Sequence, residues 1–207
     1  MLQLEFNKLV EHFTDDPQTI KLLWDEIEKQ YSGSKRFYHN INHLENLLKQ
    51  LTEVRDQIND WDTILFTLFY HDIIYKAYRN DNEEKSAALA MKRLKMLTYP
   101  VDKINLCFSQ IVATKSHSVS SDNDTNLFTD ADLSILGQEW NVYSAYSKNV
   151  RKEYSIYPDI LYTPGREKVL THFLGMARIF KTDYFFTNLE EQARLNLKKE
   201  LKEISVK

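Results

Sequence analysis

The stretch ILFTLFYHDIIY, residues 64–75, determines the fold prediction for this chain. Its apolar residues would cover every side of a helix, which predicts a buried helix and not an amphipathic surface helix. That helix would carry a carboxylate, Asp72, and burial would remove the carboxylate from water. Such a group is tolerated only if it gains a cation or a full set of hydrogen bonds. The imidazole of His71 and a bound metal ion would supply that compensation, so we expect further metal ligands elsewhere in the chain.

The rest of the first half also predicts helices. Only 4 Gly and 4 Pro occur in 207 residues, which disfavours a β-rich fold with many tight hairpins. Cap residues, acidic first turns and apolar stripes at helical spacing predict helices instead. These helices run from Pro17, capped by Asp16, to about Gln30; along Leu44 to Val54; from Asp60, as the cap of the buried helix; from Asn82; and around Ile104 to Thr114.

The second half of the chain begins with a polar loop, predicted over Ser116 to Asn126. A short helical segment over 128–136 follows, with Gly137 as its C-cap. Three more helices are predicted: one over about 140–155, one starting at Pro164-Gly165 and one capped by Asn188. No internal repeat or linker divides the sequence. We therefore predict a single all-α domain over 1–207, with a motif-bearing core at about 35–137 and a C-terminal helical extension at about 138–207.

The composition is that of an ordinary soluble globular protein, with 43% hydrophobic and 28% charged residues. A net charge of −3 and a pI near 6.1 give no reason to expect nucleic acid or an acidic membrane as a partner. The single cysteine, Cys107, lies in an apolar stretch and is predicted to be a buried core residue. Neither a secretory signal nor an apolar run of membrane-spanning length is visible. We expect a cytoplasmic protein.

Two more candidate ligands lie in otherwise apolar segments. His43 would fall in the first turn of a helix capped by Asn40, where its ring can reach inward. Asp132 lies in the segment FTDADLSILG, residues 128–137, flanked by alanine and leucine. Asp130, two residues earlier, would point to a different face of that helix. It is expected either to hold a ligand histidine through a hydrogen bond or to cap a helix.

His43, His71-Asp72 and Asp132, in this order, resemble the His … His-Asp … Asp signature of the HD-domain superfamily of metal-dependent phosphohydrolases. Five segments are similar to a subgroup of predicted HD phosphohydrolases, and the similarity spans roughly Lys35 to Leu197. These segments are YHNINH (38–43), YHDIIY (70–75), NEEKSA (82–87), DADLSILG (130–137) and YTPGR (162–166). The resemblance implies one HD-type helical bundle with additional C-terminal helices.

The resemblance also implies that His43, His71, Asp72 and Asp132 are metal ligands. Two imidazoles and two carboxylates suit an octahedral ion such as Mn, Fe, Co or Mg, and Zn or Ni is also compatible. The ion would polarise a phosphoryl group and lower the pKa of a bound water. The structural alternative is a buried cluster of histidines and aspartates that is held by hydrogen bonds without a metal ion.

Catalytic assistance is expected from Glu83 as general base or water-orienting residue, with Asp72 as the rival. Favourable acidic charge at a helix N-terminus would explain Glu83 equally well. Candidate substrate or phosphate contacts are His39, Lys115 and His117, with structural or solvent-exposed roles as the alternatives for the histidines.

Arg166 is a further candidate anion-binding residue. It follows Pro164-Gly165, so it would lie in the first turn of a helix and bind a phosphate together with backbone N–H groups. A surface salt bridge is the alternative. Two positions depart from better-known relatives: Tyr75 stands where many carry Lys or another polar group, and Asn82 where many two-metal relatives carry His. The second departure favours one metal ion over two.

The sequence thus predicts a metal-dependent phosphohydrolase, either a phosphomonoesterase or a phosphodiesterase, that acts on a small phosphorylated molecule such as a nucleotide by attack of a metal-activated water. Two alternatives stay open. One is a non-catalytic module that binds metal and nucleotide or a partner protein; the other is a di-iron oxygenase of HD type, for which His117 is the one obvious spare ligand. The substrate, the metal and the oligomeric state, including a homodimer, are left open.

Overall fold

The computed structural model of the protein describes residues 1–205 and is all-helical over that range, with ten α-helices, two short 3-10 helices and no strand. The all-α prediction is confirmed. The α-helices are α1 (Leu2–Glu11), α2 (Pro17–Tyr31), α3 (Ile41–Glu53), α4 (Trp61–Tyr70), α5 (Asn82–Met96), α6 (Val101–Ala113), α7 (Asn123–Leu133), α8 (Trp140–Glu153), α9 (Asp159–Gly175) and α10 (Asp183–Ser205); the 3-10 helices are Arg55–Gln57 and Ser134–Gly137. None of the helices among these residues is both long enough and apolar enough to cross a bilayer.

The chain divides into two compact units, residues 1–129 and the chain from Asp130 onward. The first unit contains α1 to α6 and most of α7. The second contains the end of α7 and α8 to α10. The predicted single HD-type domain with a core at about 35–137 stays a prediction.

The core of the first unit is built around α4. Every residue of this helix from Thr63 to Tyr70 is buried, and the helix packs against α1, α3, α5 and α6. The prediction of a buried helix is confirmed. However, α4 ends at Tyr70, and His71 is its C-cap residue. The expectation that His71 and Asp72 lie inside the helix is therefore wrong: they occupy the turn that leaves it.

Predicted helix starts are confirmed where a cap side chain bonds to the helix it precedes. Asp16 accepts hydrogen bonds from two backbone N–H groups of α2, and Asn40 accepts one from Asn42 at the start of α3. Asp60 accepts one from the backbone N–H of Thr63 in α4. These are local signals, because the cap and its partner lie within three residues of each other. Two of these caps set the first residues of α3, which contains His43, and of α4, which ends just before His71.

Three boundaries in the second half differ from the prediction. The polar loop ends earlier, because α7 already begins at Asn123. Helix α9 begins at Asp159, so Pro164 lies inside its second turn, where proline cannot donate the usual hydrogen bond to the carbonyl four residues earlier. Helix α10 begins at Asp183, so Asn188 is not a cap. Its side-chain Nδ2 instead donates to the carbonyl of Tyr184, 2.7 Å away within the same helix.

Gly137 ends the second 3-10 helix, but it is not the predicted left-handed C-cap, since none of the described glycines has a positive φ. Its role is close packing. A Cβ atom at this position would lie 2.5 Å from Leu189 Cβ and 2.7 Å from the Leu189 carbonyl oxygen on α10. Two further contacts hold the same surfaces together, because Asn196 Nδ2 donates to the carbonyls of Leu136 and Gln138 at 2.8 and 2.7 Å. Helix α10 thus packs tightly on the Ser134–Gly137 turn.

Candidate metal centre

Three possible metal-ligand atoms converge where α3 begins and α4 ends. Nε2 of His43 lies 3.0 Å from Nε2 of His71. The Asp72 Oδ2 atom lies 3.1 Å from His71 Nε2 and 3.7 Å from His43 Nε2. Both imidazoles are buried, and the Asp72 side chain is 17% exposed. The first unit therefore brings three of the four predicted ligands together.

The protonation of His71 is set by its second nitrogen. Nδ1 lies 2.9 Å from the carbonyl oxygen of Leu68, one turn earlier in α4. A carbonyl can only accept, so Nδ1 carries a proton, and Nε2 is the ring nitrogen that remains to bind a metal ion. This is the arrangement that metal-ligating histidines usually adopt, with the far N–H donated to a backbone carbonyl. His71 thus directs Nε2 at the point where the three groups meet.

The charge of Asp72 is compensated by the histidines around it. Burial acts most strongly and by itself would raise the pKa of this carboxyl group. The imidazoles of His71, His39 and His43 together outweigh burial, so the pKa of Asp72 lies well below its ordinary value. Asp72 is therefore an ionised carboxylate at neutral pH and can act as an oxygen ligand or as a hydrogen-bond acceptor.

Two residues that the sequence prediction missed hold the turn carrying Asp72. Arg36 Nη1 donates to the carbonyl oxygens of His39 and Asp72, at 2.9 and 2.7 Å, and Nη2 donates to that of Ile73 at 2.8 Å. The backbone N–H of Asp72 donates to the Tyr31 hydroxyl at 3.2 Å. Arg36 comes only a few residues before the YHNINH motif, but nothing in the sequence indicates which carbonyls it reaches.

The remainder of the segment after α4 is held from α5. The Ser86 hydroxyl bonds to the backbone N–H and carbonyl of Ile74, at 3.1 and 3.3 Å. The Asn82 amide makes a matching pair of bonds with the backbone of Lys76, at 3.1 and 3.0 Å. Asn82 is therefore engaged in fixing this loop.

His39 lies beside the three-atom cluster. Its Nε2 is 3.9 Å from Asp72 Oδ2, and its ring stacks on that of Tyr75 with centroids 4.1 Å apart. The side chain is 19% exposed. His39 thus lies at the edge of the cluster with its ring against Tyr75, and its predicted role in substrate binding stays a prediction.

Glu83 lies half-buried in the first turn of α5. Burial raises the pKa of its carboxyl group above the ordinary value; a backbone hydrogen bond opposes the rise, and the negative charge of Asp72 adds to it. A carboxyl group with a raised pKa and a charged site residue nearby is suited to accept and release a proton. Its predicted catalytic role stays a prediction.

Lys115 and His117 follow the end of α6. The Lys115 ammonium donates to Glu84 Oε1 at 2.5 Å and to the carbonyl of Asn80 at 2.6 Å, and the side chain is 42% exposed. It joins the end of α6 to the start of α5, next to Glu83. His117 is half-buried and has a positive φ of 51°. Their predicted roles in phosphate binding stay predictions.

Asp132, the fourth predicted ligand, lies in the last turn of α7 and is half-buried. Its predicted role as the fourth metal ligand stays a prediction.

Asp130 and Arg166 have partners within the second unit. Asp130 is buried and accepts hydrogen bonds from the backbone N–H groups of Lys181 and Thr182, at 2.9 and 2.7 Å, and from the Thr182 hydroxyl at 2.8 Å. It thus secures the segment that leads into α10. Arg166 makes a two-pronged bond to Glu200, with Nε and Nη2 at 2.8 and 2.9 Å from the carboxylate oxygens. The predicted role of Arg166 in phosphate binding stays a prediction.

No protein-family model matches the chain, and no curated protein matches its sequence. The resemblance to the HD-domain superfamily therefore rests on the motif residues quoted above, and membership of that family stays a prediction.

Proposed function

We propose that the protein is a metal-dependent phosphohydrolase of HD type that acts on a small phosphorylated molecule, with nucleotides among the candidates. The observation that carries the proposal is the convergence of His43 Nε2, His71 Nε2 and Asp72 Oδ2, with separations of 3.0, 3.1 and 3.7 Å. The donor set of two imidazoles and a carboxylate suits a divalent transition metal.

The separations fit a shared ion. Two ligand atoms about 2.1 Å from one ion are about 3.0 Å apart when their bonds to it are at right angles, and about 3.4 Å apart in a tetrahedral arrangement. The separations of 3.0 and 3.1 Å correspond to ligand bonds near right angles, and the separation of 3.7 Å corresponds to an angle wider than tetrahedral. Hydrogen bonds alone offer a competing explanation, in which the His43 ring donates from Nε2 to His71. The two explanations differ in metal content.

Asp132 would be the fourth ligand of the proposed site. The reason is the resemblance, in which the last aspartate of the His … His-Asp … Asp order is a metal ligand. Its carboxylate would balance a second positive charge, which the single charge of Asp72 cannot. A bound divalent ion would supply Lewis-acid polarisation of the phosphoryl oxygens and a lowered pKa for the attacking water.

The residues around the three-atom cluster would bind the substrate and move protons. The Glu83 carboxyl group, with its raised pKa, would accept the proton of the attacking water and release it afterwards. Lys115 lies beside it, and its ammonium could exchange Glu84 for a phosphate oxygen. His39, at the edge of the cluster, would donate to a substrate oxygen from its imidazole.

The test is metal content combined with activity. Protein purified without added chelator and assayed with Mn²⁺ or Co²⁺ should hydrolyse at least one member of a broad panel of phosphomonoesters, phosphodiesters and nucleotides. His71→Ala should lose both metal and turnover. His12→Ala is the matched control, because His12 is an exposed imidazole near Asp62 on the outside of the same unit. It should retain both.

The outcomes separate the alternatives. A wild-type protein that binds no divalent metal would contradict the proposal and favour the hydrogen-bonded cluster. One metal ion without turnover on the panel, but with a thermal shift on adding nucleotide, would favour a binding module. Two iron ions per chain would favour the oxygenase.

A further inference from the structure

Arg36 lies at the point where the two ligand-bearing segments meet. One segment is the approach to α3, which carries His39 and then His43, and the other is the turn after α4, which carries Asp72. We propose that Arg36 is the positioning residue of the candidate metal centre: its guanidinium holds these segments in register, so that the imidazole and carboxylate donors are already assembled in the metal-free protein. The inference rests on the proposed function in one respect, that these imidazoles and the carboxylate are metal ligands.

The contacts of Arg36 are shared between the two segments. Nη1 bonds at once to the His39 carbonyl, 2.9 Å away, and to the Asp72 carbonyl, 2.7 Å away. Nη2 bonds to the Ile73 carbonyl at 2.8 Å. One rigid plane therefore spans both sides of the cluster. The last carbonyl groups of a helix and of the turn after it have no partner within the helix, and Arg36 satisfies two such groups just beyond α4.

Aromatic rings fix the plane of the guanidinium. Its central carbon lies 4.8 Å from the centroid of Tyr31 and 5.6 Å from that of Tyr75. Both tyrosines also touch the site, because Tyr31 accepts the N–H of Asp72 and Tyr75 stacks on His39. Removing Arg36 would leave three carbonyls short of a donor and would loosen the rings that orient His39 and Asp72.

Lysine cannot replace this arrangement. Its ammonium is a point charge on a flexible stem, whereas three carbonyls at fixed positions require the planar fork of arginine. Arg93, in the same unit, is an arginine that stabilises the fold but contacts none of the candidate ligands. That guanidinium also makes a two-pronged, partly buried contact, with Glu26 at 2.7 and 2.6 Å. Arg93 is thus the matched control.

The first test uses metal-free protein. Imidazole ¹⁵N and ¹H signals of His39, His43 and His71 are recorded by NMR for wild type, Arg36→Ala, Arg36→Lys and Arg93→Ala, with helix content checked by circular dichroism. We expect all three histidine signals to move in both Arg36 variants and to stay in place in Arg93→Ala. Added methylguanidine should return the signals of Arg36→Ala towards those of wild type. Unchanged histidine signals in the folded Arg36 variants would overturn the inference whether or not the protein binds metal.

The second test titrates the same metal-free proteins with Co²⁺ alone and follows visible absorption. Mutation of residues that orient metal ligands typically lowers metal affinity by about 10- to 100-fold. We expect a loss of that size for Arg36→Ala and a smaller loss for Arg36→Lys. Arg93→Ala should change the affinity by less than about twofold. Equal losses in the Arg36 and Arg93 variants would reduce Arg36 to a general structural residue. Failure of the wild type to bind Co²⁺ would count against the proposed function, and the NMR comparison would then decide the inference by itself.

Discussion

Replacing Glu200 by glutamine tests whether Arg166 serves the fold or a phosphate. Glu200, on α10, accepts hydrogen bonds from Arg166 at 2.8 and 2.9 Å, from the Ser147 hydroxyl at 2.8 Å and from the Tyr143 hydroxyl. The two charged side chains are only 7% and 6% exposed. Glu200→Gln keeps the shape of the side chain but leaves the guanidinium buried without a counter-charge.

Removing one partner of a buried ion pair costs about 3–5 kcal/mol, since the other charge stays desolvated. For a chain of this length that corresponds to a fall in Tm of about 6–20 °C. The cost should depend on pH. Burial by itself would raise the pKa of Glu200, but the bonds from Arg166 outweigh it and hold the pKa below the ordinary 4.5. The carboxylate therefore contributes stability above pH 4.5 and loses it as the pH falls through the lowered pKa of the folded state.

The assay is urea denaturation followed by circular dichroism at neutral pH and at a series of acidic pH values. The difference in free energy of unfolding between wild type and Glu200→Gln should be largest at neutral pH and should decrease below about pH 4.5. The double variant Arg166→Met/Glu200→Leu should lose less than the sum of its single changes. Asp159→Asn is the control: Asp159 pairs with Arg151 but is 85% exposed, so its loss should cost less than about 1 kcal/mol.

A Glu200→Gln variant that is destabilised no more than this control, or a gap that does not change with pH, would refute the assignment of a buried structural ion pair. If the variant were stable but bound phosphate more weakly, the sequence-based role of Arg166 in anion binding would be favoured instead.

Three further predictions test the packing. Gly137→Ala should destabilise the protein by about 1–3 kcal/mol in urea, because its Cβ would overlap Leu189, whereas Gly165→Ala, in open space on a helix, should be neutral or stabilising by up to about 1 kcal/mol; equal effects would contradict the packing argument. Burial raises the pKa of the Cys107 thiol to about 12, so a thiol reagent at pH 8 should label it only after unfolding, and prompt labelling of native protein would contradict its place in the core. Asp124→Ala should cost about 3 kcal/mol, since it leaves two backbone N–H groups before α4 without their acceptor; a change below about 1 kcal/mol would contradict this.

The parts of the fold that could be predicted are those with local causes. Three helix starts are predictable because the cap side chain accepts a hydrogen bond from a backbone N–H within three residues; these caps are Asp16, Asn40 and Asp60. The burial of α4 follows from its own apolar composition. The position of His43 is also predictable from local sequence, because the Asn40 cap sets the first turn of α3. His43 lies in that turn and is buried.

The parts that could not be predicted depend on partners far along the chain. Gly137 was predicted to be a C-cap because glycine commonly ends helices, but its lack of a side chain permits close contact with Leu189. The ion pair of Arg166 with Glu200 could not be predicted because the two residues are 34 positions apart and no local pattern links them. Arg36 was overlooked because its acceptors are backbone carbonyls 36 and 37 residues away, and every residue except proline offers the same acceptor and donor.

Three of the contacts that assemble the candidate centre close long loops. The two histidines are 28 residues apart, and Tyr31 and Arg36 reach Asp72 across 41 and 36 residues. An unfolded chain would hold these donors apart, since closing loops of that length has an entropic cost. The centre can therefore exist only in the folded first unit, and any ion that binds it must stabilise that unit by mass action. A metal-dependent rise in Tm would in that case measure occupancy directly, and loss of the ion in the cell would shift the chain towards unfolding and degradation.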